Sequence, residues 1–196
     1  MADVLYRTPP LSAWQPALEA LGEEIAGCAV EAENPVAAVD VRVDPDGCGL
    51  AALGRVLGAA LPTEPNTWTP TGQGQLVWLG PDEWLVTDAN ALPHELEEDL
   101  SWVVSAYDGA VVDVSAQRTS LRLRGPKARE LLSFGCSLDL RPAKFPAGAC
   151  AQTAVGQAGV LLLALGEDDL RLFVRPSFAG YLAEWLLDAA QEFRAR

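Results

Sequence analysis

The sequence predicts an α+β fold made of two related halves, and three observations carry that prediction. Apolar residues alternate in short runs, as in half-buried strands. Other apolar residues recur at helical spacing, and the order strand, helix, hairpin, helix occurs over about residues 36–114 and again over about 119–194. Neither copy can bury both faces of its sheet alone, so residues 1–196 are expected to form a single domain around a shared core.

Residues 1–15, ending in Pro9-Pro-Leu-Ser-Ala-Trp14, lack periodicity and read as an extended tail lying against the rest of the chain. Val39, Val41 and Val43 alternate with Asp40 and Arg42, giving the first strand. After the Asp44-Pro-Asp-Gly turn, Leu50, Leu53, Val56, Leu57, Ala60 and Leu61 mark a helix. Residues 62–75 are aperiodic and rich in proline, threonine and glycine, so they read as a long loop. Leu76–Leu79 and Glu83–Thr87 flank Gly80-Pro-Asp82 as a hairpin. Pro93 suits the first turn of a helix whose apolar face is Leu96, Leu100, Val103, Val104 and Tyr107, and Val111–Val114 closes this half as a short buried strand.

The second copy opens on the alternating Ser120-Leu-Arg-Leu-Arg124, and Gly125-Pro126 leads into a helix with Ala128, Leu131 and Leu132. A loop rich in proline and glycine follows, then strands at Cys150–Val155, Val160–Leu165 and Leu170–Val174, the last two around Gly166-Glu-Asp-Asp169. Ser177 is the expected N-cap of a final helix carrying Phe178, Tyr181, Leu182, Trp185, Leu186, Ala189, Ala190 and Phe193 at i, i+3, i+4 and i+7.

Composition narrows the function. With 49% apolar residues, 21% charged and six tryptophans, the 196-residue chain can bury a core. Its longest apolar run, Ala158–Leu165, is far shorter than the roughly 20 residues a membrane helix needs. The N-terminus lacks a basic start and apolar run, so we expect no membrane and a cytoplasmic protein. Cys28, Cys48, Cys136 and Cys150 lie outside metal-ligand spacing and are expected as buried free thiols. The single histidine, His94, sits beside Glu95 in a predicted first helical turn, and reads as a surface residue; a Ser-His-Asp or Cys-His site would have to use it as base. Gly72-Gln-Gly74 precedes a strand, the wrong context for a dinucleotide-binding turn. No catalytic residue, cofactor site or metal site is therefore assigned.

The net charge of −13 is unevenly spread, with 3 basic and 18 acidic groups in residues 1–110 against 11 and 9 in residues 111–196. This disfavours nucleic acid as a partner and suits an oriented encounter with another protein, although solubility alone also explains an acid excess. Two candidate contacts follow. Trp68, in the aperiodic loop, is either folded back on the sheet or an anchor for a partner. Arg118, Arg122 and Arg124 share a strand face with Ser120, and Lys127 and Arg129 follow on the next helix; these cations either guard an edge strand or dock an acidic surface. Asp113, Ser115 and Arg118 lie where the copies meet and are expected to form a buried or partly buried polar junction, the alternative being an ordinary turn at a strand end.

Val-Trp-Leu-Gly-Pro-Asp-Glu-Trp-Leu-Val (77–86), Val-Val-Asp-Val-Ser-Ala-Gln-Arg-Thr (111–119), Leu-Arg-Gly-Pro-Lys-Ala-Arg-Glu-Leu-Leu (123–132) and Gly-Cys-Ser-Leu-Asp-Leu-Arg-Pro-Ala-Lys-Phe-Pro (135–146) resemble, in order and spacing, the γ subunit of bacterial heterotetrameric sarcosine oxidase. With Ala151-Gln-Thr153, Ser177-Phe178 and Trp185–Ala190, the resemblance covers roughly residues 50–193. More distantly, 111–187 resembles the folate-binding domain of the glycine-cleavage aminomethyltransferase, whose fold is itself a duplication.

The resemblance implies a non-catalytic assembly subunit. The complex it implies oxidises sarcosine with oxygen to glycine, hydrogen peroxide and a one-carbon unit passed to tetrahydrofolate. It implies α, β and δ subunits as partners, and FAD, FMN, NAD and tetrahydrofolate on the larger subunits, with no cofactor on this chain. Where the aminomethyltransferases carry an acidic pair before the Leu-Gly-Glu-Asp turn, this chain has Ala158-Gly159, so the group that would meet a developing cationic amine is missing. The alternatives are a stand-alone folate-binding or aminomethyltransferase-like protein, and the equivalent subunit of a related N-methyl amino acid dehydrogenase.

Overall fold

The computed structural model describes residues 8–193. Two five-stranded antiparallel sheets lie between two helical layers. The first sheet has the order β1 (Ala29–Ala32), β7 (Thr119–Arg124), β10 (Asp169–Val174), β9 (Ala158–Gly166), β8 (Cys150–Val155). The second runs β3 (Trp68–Pro70), β4 (Gly74–Gly80), β5 (Glu83–Asp88), β2 (Ala37–Arg42), β6 (Ala110–Asp113).

Strand alternation assigns each side chain to a layer. Leu121, Leu123, Leu162, Leu170 and Leu172 point outward from the first sheet onto α1 (Gln15–Glu24), α4 (Ala128–Ser133) and α5 (Pro176–Ala189). Val39, Val41, Leu76, Trp84 and Val86 do the same from the second sheet, onto α2 (Cys48–Leu57) and α3 (Pro93–Val104). The opposite strand faces meet each other, with Ala38, Val77, Leu85, Leu161, Leu163 and Phe173 forming a third apolar layer between the sheets. The mixed α+β class is therefore as expected.

The helix starts and stops follow local chemistry. Pro93 and Pro176 each open a helix, where a missing N–H costs nothing, and Gly58 ends α2 in the left-handed region with φ 71°. Pro176 displaces Ser177 from the expected capping position, which Arg175 takes without a side-chain cap bond. Phe178 and Tyr181, placed on the apolar face by periodicity, stay partly exposed at the start of this helix.

Other expectations are corrected. Residues 62–75 are not all loop, since Trp68–Pro70 form β3 and Gly74 begins β4. A side chain at Gly74 would put a Cβ 1.8 Å from the Thr87 carbonyl oxygen, so the strands can approach here only with glycine. The strand ending the first half is β6, and it is an exposed edge rather than a buried strand: Val111 packs on the helix-side core, but Ala110, Val112 and Asp113 face solvent. Cys48 is exposed, whereas Cys28, Cys136 and Cys150 are buried free thiols. Two elements add to the expected set. Pro16 opens α1, whose Leu18 and Leu21 pack beneath the first sheet, and β1 pairs with β7. Leu11, from the expected tail, is buried in the same core; residues 1–7 of that tail lie outside the described residues.

Candidate functional site

The two sheets are tied along one side. Thr67 bridges Ala149, the Trp68 N–H donates to Gly148 O at 3.0 Å, and the Cys150 N–H donates to Asn66 O at 2.7 Å. Trp68 completes the seam from β3, its indole N–H donating 3.0 Å to the Ala164 carbonyl on β9. The ring is thus engaged within the chain.

Away from that seam the inner face of the first sheet changes from apolar to charged. Ser120, Arg122 and Arg124 on β7 face the inter-sheet side, while Leu121 and Leu123 enter the core. Arg122 donates from Nε and Nη2 to Asp169 at 2.8 and 2.5 Å; Arg171 donates to both oxygens of Glu33 at 2.6 Å; Arg124 pairs with Glu31. Each arginine therefore has a carboxylate of its own. Asp169 is held below the usual carboxylate range, chiefly by its hydrogen bonds from Arg122. The strand carrying these arginines is not an edge, because β1 covers it. That removes the edge-guarding reading.

Lys127 stands 5.0 Å from the centre of the Phe193 ring, and its neighbour in the expected patch is not on the surface at all. Arg129 is buried, donating to the carbonyls of Glu167, Gly166, Leu140 and Phe145. It fastens α4 to the β9–β10 turn and to the 134–149 loop. The expected patch of five cations is therefore broken, because the rotation of α4 turns Arg129 inward.

At the junction of the halves, Asp113 Oδ1 accepts from the Ser115 N–H at 2.8 Å and from its hydroxyl at 2.6 Å, while the Ser115 Oγ accepts the Ala38 N–H at 2.8 Å. Ser115 is buried and Asp113 is exposed. Arg118 is not part of this knot. It is partly buried near Asp40 and Glu83, and burial, followed by the charge of Arg175, lowers its pKa. Across from it, Asp40 on β2 has a buried Oδ1 with no hydrogen-bond partner, and its carboxyl is pushed up to about 6 by burial and then by Glu83.

Between the sheets, beside the arginine–carboxylate face, lies a cavity of about 290 Å³ lined by Glu33, Gln73, Gln75, Thr87, Arg171 and Phe173, among others. Gln75 is 94% buried, its relative exposure being 6%, and its Oε1 has no partner. Sequence reasoning missed this glutamine because residues 62–75 read as an aperiodic loop, whereas β4 begins at Gly74. The cavity lining mixes polar and apolar groups, and its charged members, Glu33 and Arg171, are paired with each other. The buried thiols of Cys28 and Cys150, raised to about 11 and 12 by burial, stay protonated and are poor nucleophiles. Among the described residues no three metal-binding side chains converge, and no helix is long and apolar enough to cross a membrane. Ala158 and Gly159 do open β9, so that end of the strand presents no carboxylate.

The model of the sarcosine oxidase gamma subunit family matches residues 42–192. The sarcosine oxidase subunit gamma of Corynebacterium sp. strain U-96 is 36% identical over 156 residues, which cover 79% of this chain and 75% of that one. In the solved heterotetrameric sarcosine oxidase from Corynebacterium sp. U-96, in complex with pyrrole 2-carboxylate, one chain superimposes with a TM-score of 0.87 and 31% identity, covering 95% of this chain and 96% of that one. The glycine cleavage system aminomethyltransferase T from Bartonella henselae matches with a TM-score of 0.61 at 15% identity, over 87% of this chain and 48% of that one, which shows a shared fold. Agreement along nearly the whole chain, in sequence and in backbone, leaves one conclusion: this chain belongs to the sarcosine oxidase gamma subunit family.

Proposed function

We propose that this chain is the γ subunit of a heterotetrameric sarcosine oxidase and serves its assembly, while the chemistry takes place on the larger subunits. The observation that carries this is the match to a chain of the heterotetrameric enzyme over 95% of this protein. The polar groups support it: the inter-sheet arginines are spent on carboxylates of the same chain, and the position of the aminomethyltransferase acidic pair holds alanine and glycine. In this reading the partners are the α, β and δ subunits, which carry FAD, FMN, NAD and tetrahydrofolate, and the complex works in the cytoplasm. The chain itself is one domain of two related halves, 36–114 and 119–194.

Co-expression with candidate large subunits tests the proposal. The chain is expected to co-purify with them in fixed stoichiometry, and alone to be colourless and unable to oxidise sarcosine. A bound flavin spectrum or sarcosine turnover by the isolated chain would overturn the assembly role.

A further inference from the structure

The side of the molecule opposite the arginine-bearing sheet carries a second surface. A groove of about 390 Å³ runs between α2 and α3, floored by Val56, Leu57, Leu96 and Leu100 and rimmed by the carboxylates Asp88, Glu95 and Asp99. Val56 is 57% exposed, whereas Leu53 on the same helix is buried and Leu50 and Leu57 are half-buried. Glu95, Asp99 and Trp102 follow one another at i, i+4 and i+7 along α3, so they form one stripe beside the groove. Trp102 is 82% exposed. Leaving so large an aromatic surface in water is unfavourable by itself, and tryptophan is enriched among the few side chains that dominate protein interfaces.

The charge around this tryptophan says what fits there. α3 carries Glu95, Glu97, Glu98 and Asp99 without a lysine or arginine, and among the described residues no ion pair reaches any of the four. Glu97 accepts the Asp113 N–H, which leaves the other three turned to solvent. Arg55, the nearest cation on α2, borders the adjoining hollow and not this groove. A second copy of this chain docking symmetrically would oppose the same acidic stripe to itself, which is repulsive. Of the cations in its other half, Arg122, Arg124, Arg141 and Arg171 are already paired with carboxylates of the same chain.

We infer that the groove between α2 and α3, together with Trp102 one turn beyond Asp99 on α3, is the docking surface for a larger subunit of the oxidase, which enters it with an apolar segment flanked by lysine or arginine side chains. This rests on the assembly reading above and names its contact surface. Trp102 is the anchor; Glu95, Glu98 and Asp99 steer the encounter and lose force as salt rises.

The test is assembly of the full chain with the large subunits, followed by affinity at two ionic strengths. Trp102→Ala is expected to weaken assembly at least tenfold at an unchanged melting temperature, because the side chain contributes little to the fold. Glu95→Lys with Asp99→Lys is expected to weaken it comparably and to abolish the loss of affinity with added salt. Glu184→Lys with Asp188→Lys makes the same charge change on exposed positions of α5, in the other helical layer, and should assemble like the parent. Parent-like affinity and salt response in both groove variants, or equal weakening by the α5 control, overturns the assignment. A parent chain that does not assemble at all overturns the assembly reading itself, a different outcome from groove variants that assemble normally.

Discussion

Arg122 on β7 stands directly opposite Arg171 on β10, two like charges in register on one sheet face. The repulsion this creates is met from either side, by Asp169 beside Arg122 and by Glu33 beside Arg171. The carboxylates come from the end of β10 and from the residue following β1, so both ends of the chain's strand order contribute to the balance.

Removing one carboxylate should therefore cost more than one ion pair. Glu33→Gln leaves Arg171 facing Arg122 with half the compensation, and is expected to lower unfolding free energy by about 1–2 kcal/mol in urea titrations. The loss should shrink in added salt, which screens the arginine pair. Equal destabilisation at low and high salt would show that packing, and not charge, sets the effect.

Charge reversal of the same strand should damage the fold. Arg122→Glu with Arg124→Glu places new carboxylates against Asp169 and Glu31, and is expected to cost about 2 kcal/mol, since both pairs are partly solvated. Differential scanning calorimetry reads this directly. A melting temperature equal to the parent's would return these arginines to the role of free docking charges.

Arg129 makes a sharper case because its buried guanidinium satisfies four carbonyls, two of which, on Leu140 and Phe145, belong to buried residues. Arg129→Met is expected to cost about 2–4 kcal/mol, with raised amide exchange concentrated in 134–149 and the turn after β9. Arg129→Lys should recover only part, since an ammonium cannot span the same carbonyls.

Asp40 sets a pH dependence of defined sign. Its carboxyl titrates at about 6 in the folded chain against 3.8 for the ordinary group, so the folded state holds the proton more tightly. Its contribution is full below about pH 4 and is lost as pH rises through about 6. Asp40→Asn should flatten stability over that window and raise it at pH 7, by about 1 kcal/mol once solvent screening is allowed for. Chemical denaturation at pH 4, 5, 6 and 7 gives the slope.

What the sequence by itself determined is local. Alternation at 39–43 and 120–124, helical spacing at 96–104, and the two hairpins around Gly80-Pro-Asp and Gly166-Glu-Asp-Asp were all readable, because strand and helix periods come from the backbone. The γ-subunit resemblance was legible in the same segments. The Leu18, Leu21, Ile25 spacing of α1 was also present to be read. What only the tertiary structure decided is which polar side chains meet. Glu33 and Arg171 are 138 residues apart, β1 is recognisable as a strand only once β7 lies beside it, and Arg129 looks like its exposed neighbours until the 134–149 loop closes over it. Trp68 and Trp102 show the same limit from both sides. One aromatic finds a carbonyl 96 residues away and turns inward, and the other finds none and stays in water. Burial of a side chain depends on elements distant in sequence, and local periodicity carries no information about them.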